Sequence, residues 1–85
     1  MKLTKEDNII LNALEDHRDL YIARNLNGNL YLFLDDKPCC FSGYWDYTEY
    51  GRGGYQVYLK NKLFAFIEKG RIWSKAELME LEVME

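Results

Sequence analysis

Residues 20–34 read LYIARNLNGNLYLFL, two apolar runs separated by a turn rich in asparagine and glycine. Alternating side chains on both sides of such a turn predict a β-hairpin. If the turn is of type I at Asn25–Gly28, with Gly28 in the left-handed position of a bulge, Leu20 lies opposite Leu34. This register separates two classes of side chain, because aliphatic residues fall on one face and aromatic residues on the other.

The alternative is a strict two-residue turn at Asn27–Gly28, which would place Ile22 opposite Phe33 and mix the two classes on both faces. A shift of one residue moves side chains to the other face, so the cleaner separation favours the bulged turn. In the favoured register the facing pairs are Leu20–Leu34, Ile22–Leu32 and Arg24–Leu30 on one face, and Tyr21–Phe33 and Ala23–Tyr31 on the other.

The rest of the chain predicts a helix at each end. Thr4-Lys-Glu-Asp7 has the form of a capping box and opens a helix to about His17, and Ser74-Lys-Ala-Glu77 opens a short C-terminal helix. The predicted strands are residues 20–25, 29–35, 39–44, 55–59 and 63–68. We therefore predict one α+β domain over residues 1–85: an N-terminal helix, an antiparallel β-meander of four to five strands and a short C-terminal helix. A small curled β-barrel with flanking helices is the alternative.

The last two strands form a predicted second hairpin around Lys60–Lys62 that repeats the separation of aliphatic from aromatic residues. The predicted helices pack on the aliphatic face through Ile10, Leu14, Leu78 and Leu81. The aromatic residues expected together on the opposite face are Tyr21, Tyr31, Phe33, Tyr58, Phe64 and Phe66. If all six side chains were exposed, they would form an apolar patch larger than the few hundred Å2 that soluble monomers usually expose. We expect the segment 41–50 or a second chain to cover this patch, or the patch to bind a partner.

The net charge of −3 conceals a segregation of charges. Residues 51–75 carry six basic side chains against Glu68 alone, whereas the last ten residues carry four glutamates and no base. Basic residues beside an aromatic sheet can neutralise phosphates while the rings stack on bases. The candidate nucleic-acid residues are Arg52, Lys60, Lys62, Lys69 and Arg71. Because the chain is acidic overall and lacks an RNA-binding strand motif, nucleic acid ranks below a protein partner.

Catalytic motifs are missing from the sequence. It contains one histidine, His17, and no nucleophile elbow, glycine-rich phosphate loop or cysteine–histidine cluster with metal spacing. We predict that the chain is not an enzyme and holds no cofactor or metal. Cys39 and Cys40 are adjacent, so a strand would bury one and leave the other partly exposed. Such a pair predicts structural thiols rather than redox chemistry.

The N-terminal residues predict a cytoplasmic protein. Met1-Lys-Leu-Thr-Lys-Glu-Asp7 becomes acidic where a secretory signal would become apolar. No window approaches the roughly 18 apolar residues of a membrane span. We therefore expect no membrane association.

Residues 21–33, followed by Lys37-Pro38 and Trp45, resemble short uncharacterised proteins of phages and prophages of Gram-positive bacteria. The pattern is YIAR-x-x-x-G-x-LY, then a KP turn and a strand that carries tryptophan. Asn25 stands where those proteins usually have aspartate, and the adjacent cysteines also depart from the pattern. The resemblance implies a phage or prophage origin and a location in the host-cell cytoplasm, and it transfers no site residues.

Small phage proteins without catalytic residues often act by binding another protein, so this origin favours an interaction role. We predict a protein-interaction module that binds a host or phage protein through the aromatic sheet face. The alternatives are a single-stranded nucleic-acid-binding module and a structural homodimer with no ligand.

Overall fold

The computed structural model describes residues 1–46 and 55–84. In chain order, its elements are β1 (Lys2–Leu3), α1 (Lys5–Ala13), β2 (Leu20–Arg24), β3 (Leu30–Leu34), β4 (Cys39–Phe41), β5 (Tyr44–Asp46), β6 (Tyr55–Leu59), β7 (Ile72–Ser74), α2 (Lys75–Met79) and β8 (Glu82–Val83). The central element is a four-stranded antiparallel sheet of order β6–β3–β2–β7. This α+β architecture confirms the predicted fold class. The sheet is open, since β6 and β7 lie at its two edges.

The β2–β3 hairpin has the predicted register, with Leu20 opposite Leu34 and Arg24 opposite Leu30. Gly28 has a φ of 93°, and its N–H donates to the carbonyl of Asn25 at 2.9 Å. The Asn25 N–H donates in turn to the carbonyl of Asn29 at 2.9 Å. The bulged turn is therefore confirmed, and with it the separation of side chains between the two faces.

Both capping boxes are present. At α1, the Thr4 side chain accepts from the Asp7 N–H at 3.1 Å, and Asp7 Oδ2 accepts from the Thr4 N–H at 3.0 Å. The helix ends at Ala13, earlier than the predicted end near His17, and tighter turns follow it. Lys75 Nζ binds the carbonyls of Glu15 and His17 at 2.7 and 2.8 Å. A side chain from α2 thus satisfies carbonyl groups beyond the end of α1.

The predicted strand over residues 63–68 is wrong. These residues form consecutive turns, in which Phe64 has a φ of 45°, far from extended backbone. Residues 60–71, here called the crossing loop, carry the chain from β6 at one edge of the sheet to β7 at the other. The predicted second hairpin therefore does not form, and β6 pairs with β3 instead.

The predicted strand over residues 39–44 is correct only in part, since it begins at Cys39 but ends at Phe41. Here the chain forms a separate small hairpin, in which β4 pairs with β5. Ser42 and Gly43 lie between these strands with φ values of 51° and 87°, the two positive angles that a type I′ turn requires. Because the turn falls within the predicted strand, the segment splits into two three-residue strands.

The main core lies on the aliphatic face of the central sheet. As predicted, the helices pack there: Leu78 is buried, and Ile10, Leu14 and Leu81 are partly buried against the core. The buried cluster comprises Leu3, Leu11, Leu20, Ile22, Leu30, Leu32, Leu34, Leu59, Leu63, Phe64, Ile67 and Leu78. In the described ranges, no helix combines the length and apolar character needed to cross a membrane.

Candidate functional site

Arg24 lies at the end of β2 and points toward the core, where its side chain is 8% exposed. Its guanidinium makes five hydrogen bonds, all to backbone carbonyl oxygens. The acceptors are Ile67 at 2.7 Å (from Nε), Gly28 at 2.8 Å and Asn61 at 3.1 Å (from Nη1), and Leu63 at 3.1 Å and Phe64 at 3.2 Å (from Nη2). Arginine has five N–H donors, so these bonds occupy its full donor capacity.

The crossing loop is also bound to the Arg24 backbone. The Arg24 N–H donates to the carbonyl of Arg71 at 3.0 Å, and the Gly70 N–H donates to the carbonyl of Arg24 at 2.7 Å. Desolvation by burial lowers the pKa of Arg24. An arginine normally loses its proton far above neutral pH, so the guanidinium remains charged at pH 7.

Asp7 binds the same loop from the opposite direction. It is 1% exposed, and its Oδ1 accepts from the N–H of Phe64 at 2.9 Å. The carbonyl of Phe64 accepts from Arg24. An acid and a base therefore bind the two backbone polar groups of one residue, which explains why Phe64 leaves the extended conformation. These buried charges organise the loop, and the five carbonyl bonds leave Arg24 no donor for a ligand.

The aromatic face retains four of the six predicted residues. Phe33 is fully buried, Tyr21 and Tyr31 are half-buried, and Tyr58 on β6 is 57% exposed. The Tyr31 and Tyr58 rings contact edge to face, with centroids 5.4 Å apart. Tyr58 is therefore the member of this face most accessible to a partner.

Phe64 and Phe66 do not belong to the aromatic face, contrary to the prediction. Phe64 is fully buried in the aliphatic core, and Phe66 packs against that core. The Phe66 ring contacts Trp73 at a centroid distance of 5.1 Å, and Trp73 lies opposite Ile22 on the core face. The prediction failed because it assigned alternating strand positions to residues that lie in turns.

A groove of about 370 Å3 separates α1 from the end of β6. Its lining, which defines the α1–β6 groove, comprises Glu6, Ile9, Ile10, Tyr58, Leu59, Lys60 and Leu63. Ile9 is 66% exposed, a large value for an aliphatic side chain on a helix. Sequence reasoning missed this groove. The available signal was that Ile9 falls outside the helical stripe of Ile10, Ala13, Leu14 and His17.

The described basic residues have different neighbours. Lys60 lines the α1–β6 groove. Lys62 Nζ lies 4.0 Å from Glu6 Oε2 at the α1–β6 groove. The Lys69 side chain lies beside Gly28, in the turn of the first hairpin. Arg71 lines another cavity of about 300 Å3 together with Glu68 and Glu77. Arg52 lies outside the described residues.

The β4–β5 hairpin is held to the turn of the first hairpin. The Trp45 N–H donates to Asn25 Oδ1 at 2.7 Å, and the Leu26 N–H donates to the carbonyl of Gly43 at 2.9 Å. The expected cover of the aromatic face by residues 41–50 includes residues 47–50, which lie outside the described ranges.

Both cysteines are exposed and free, so the prediction of one buried thiol is wrong. Cys39 pairs with Asp46, and Cys40 pairs with Trp45. The two-stranded hairpin leaves both of its faces accessible at β4, whereas the prediction assumed a strand within the main sheet. In the described parts of the chain, no three histidine, cysteine or acidic side chains are grouped to hold a metal ion.

No protein-family model, no curated protein and no solved structure matches the chain.

Proposed function

We propose that the chain is a protein-interaction module that binds a host or phage protein through the α1–β6 groove. The observation that carries the proposal is the exposure of two large residues that line the groove, Ile9 at 66% and Tyr58 at 57%. Exposed apolar surface that surrounds a concavity is typical of interaction sites.

The groove combines the side-chain chemistry that protein interfaces favour. Ile9 and Ile10 supply aliphatic surface, and Tyr58 carries a ring with a polar end. The Tyr58 hydroxyl lies 3.3 Å from Asn61 Oδ1, a contact that orients the ring. Glu6 and Lys60 bring opposite charges to the lining. We therefore propose that a partner segment inserts an apolar side chain and binds these charged residues with its polar groups.

This surface is narrower than the aromatic face predicted from sequence. Phe33 and Phe64 are fully buried and leave no area for a partner, while Tyr58 remains available on the outer strand. The phage or prophage origin implied by the sequence resemblance belongs to the same proposal, as does action in the host-cell cytoplasm.

Site-specific photo-cross-linking tests the proposal. A benzophenone amino acid replaces Ile9 or Tyr58 in the producing cells, and Met79 serves as the control position. Met79 is 54% exposed but lies on α2, which packs near the opposite edge of the sheet. We expect one protein to cross-link from positions 9 and 58 and not from 79. Ile9→Asp should weaken its binding about tenfold, roughly 1.4 kcal/mol.

Equal cross-linking from all three positions, or none from positions 9 and 58, would contradict the proposal. If the cross-linked protein is a second copy of the chain, the homodimer is favoured instead. Sedimentation equilibrium would then give a mass of two chains, and thermal stability would rise with protein concentration.

A further inference from the structure

Cys39 and Cys40 combine adjacency in sequence with exposure of both thiols on a short paired strand. Successive side chains of a strand point to opposite faces. The pairings of Cys39 with Asp46 and of Cys40 with Trp45 fix the face to which each belongs. The hairpin therefore presents one thiol on each of its faces.

This geometry opposes a disulfide between the two neighbours. Consecutive Cα atoms across a trans peptide are about 3.8 Å apart, whereas disulfides usually join Cα atoms about 4.4–6.8 Å apart. Closing the ring would also require both side chains to turn toward one face. The pairing of β4 with β5 thus keeps the thiols apart and leaves each one to react with an external group.

We propose that Cys39 and Cys40 are two separate modification sites, each of which forms a mixed disulfide with a low-molecular-weight disulfide of the glutathione type. The cysteine thiolate attacks one sulfur of the reagent and forms a new S–S bond. The S–S bond of the reagent breaks, and one small thiolate leaves. That thiolate takes up the proton that the cysteine released, so no further oxidant is needed.

The two sites differ in what surrounds them. Cys40 shares a face with Trp45, which is half-buried and whose backbone N–H donates to Asn25 Oδ1 at 2.7 Å. Cys39 shares the other face with the exposed Asp46. Side chains of directly opposite residues lie about 5 Å apart at Cβ. A group attached at Cys40 therefore changes the environment of Trp45, whereas a group attached at Cys39 does not.

The experiment incubates the reduced full chain with excess oxidised glutathione and records its intact mass and tryptophan emission. We expect two glutathione additions to the parent chain and one to each of Cys39→Ser and Cys40→Ser. The emission should change for the parent chain and Cys39→Ser and stay constant for Cys40→Ser. Trp73 is retained in all three proteins, so the comparison isolates Trp45.

A loss of two hydrogen atoms without an addition would show a disulfide between the neighbours and overturn the proposal. It would also be overturned if the folded chain gave no adduct under conditions in which the urea-unfolded chain reacts. An equal emission change in both single variants would refute the assignment of the thiols to opposite faces. None of these results depends on the α1–β6 groove.

Discussion

The two described hairpins of this chain are held in place by different forces. The β2–β3 hairpin has five-residue strands and buried residues on both faces. The β4–β5 hairpin has three-residue strands that are largely exposed. Packing stabilises the first hairpin, whereas two hydrogen bonds to Asn25 and Leu26 attach the second to it. Changes at the buried residues of the first should therefore unfold the whole molecule, and loss of the bonds that attach the second should act locally.

Removing the buried guanidinium should have the largest effect. Arg24→Ala leaves carbonyl groups of the crossing loop without their donors, so we expect a loss of about 3–5 kcal/mol in the free energy of unfolding. Urea denaturation measures this loss, and Arg18→Ala, at an exposed position, serves as the control. If both variants were equally stable, Arg24 would not organise the loop.

Asp7→Ala should have a smaller effect, about 2 kcal/mol, because it removes one helix cap and the bond to the Phe64 N–H. Thr4→Ala removes a bond of the same capping box but leaves Asp7 bound to Phe64. The difference between the denaturation midpoints of the two variants measures how much the hydrogen bond from Phe64 to Asp7 stabilises the protein. Equal midpoints would mean that Asp7 acts through the cap alone.

The second hairpin should respond locally. Asn25→Ala removes the acceptor of the Trp45 N–H, and we expect a loss of about 1 kcal/mol. Hydrogen exchange measured by NMR should show faster exchange of the Trp45 amide and little change at Ile22, in the core strand. The exposed Asn12→Ala provides the control. If Trp45 and Ile22 exchanged faster by the same factor, the two hairpins would unfold together.

The smallest expected effect is the response to nucleic acid. Lys62, Lys69 and Arg71 lie in different surroundings, and two of them lie near acidic residues. We expect no saturable quenching of tryptophan emission by single-stranded DNA or RNA, at low or physiological salt. Saturable quenching that weakens with salt and with Lys60→Ala would instead favour the nucleic-acid alternative.

The features predicted correctly are those that local chemistry determines. The register of β2–β3 follows from the composition of its turn and from two classes of side chain on two faces. The capping boxes at Thr4 and Ser74 each need four consecutive residues. Short-range patterns of this kind do not depend on distant parts of the chain.

The features that were missed depend on contacts between distant residues. Residues 63–68 alternate like a strand, yet Asp7 and Arg24 bind the backbone of Phe64 and hold it in a turn. One signal was present: Arg24 places a charge opposite Leu30, on an otherwise aliphatic face. A buried charge requires partners. The sequence did not reveal that these partners would be carbonyl groups of the crossing loop.

The bonds of Arg24 also bear on how far this protein can be redesigned. Every amino acid carries a carbonyl oxygen, so the four acceptors in the crossing loop do not depend on which side chains the loop carries. Exposed loop positions such as Lys62 and Ala65 can accept new residues while Arg24 preserves the backbone path. The exposed positions of the crossing loop are thus sites for grafting variable sequences beside the α1–β6 groove, with Arg24, Asp7 and the buried side chains of the loop as the fixed requirements.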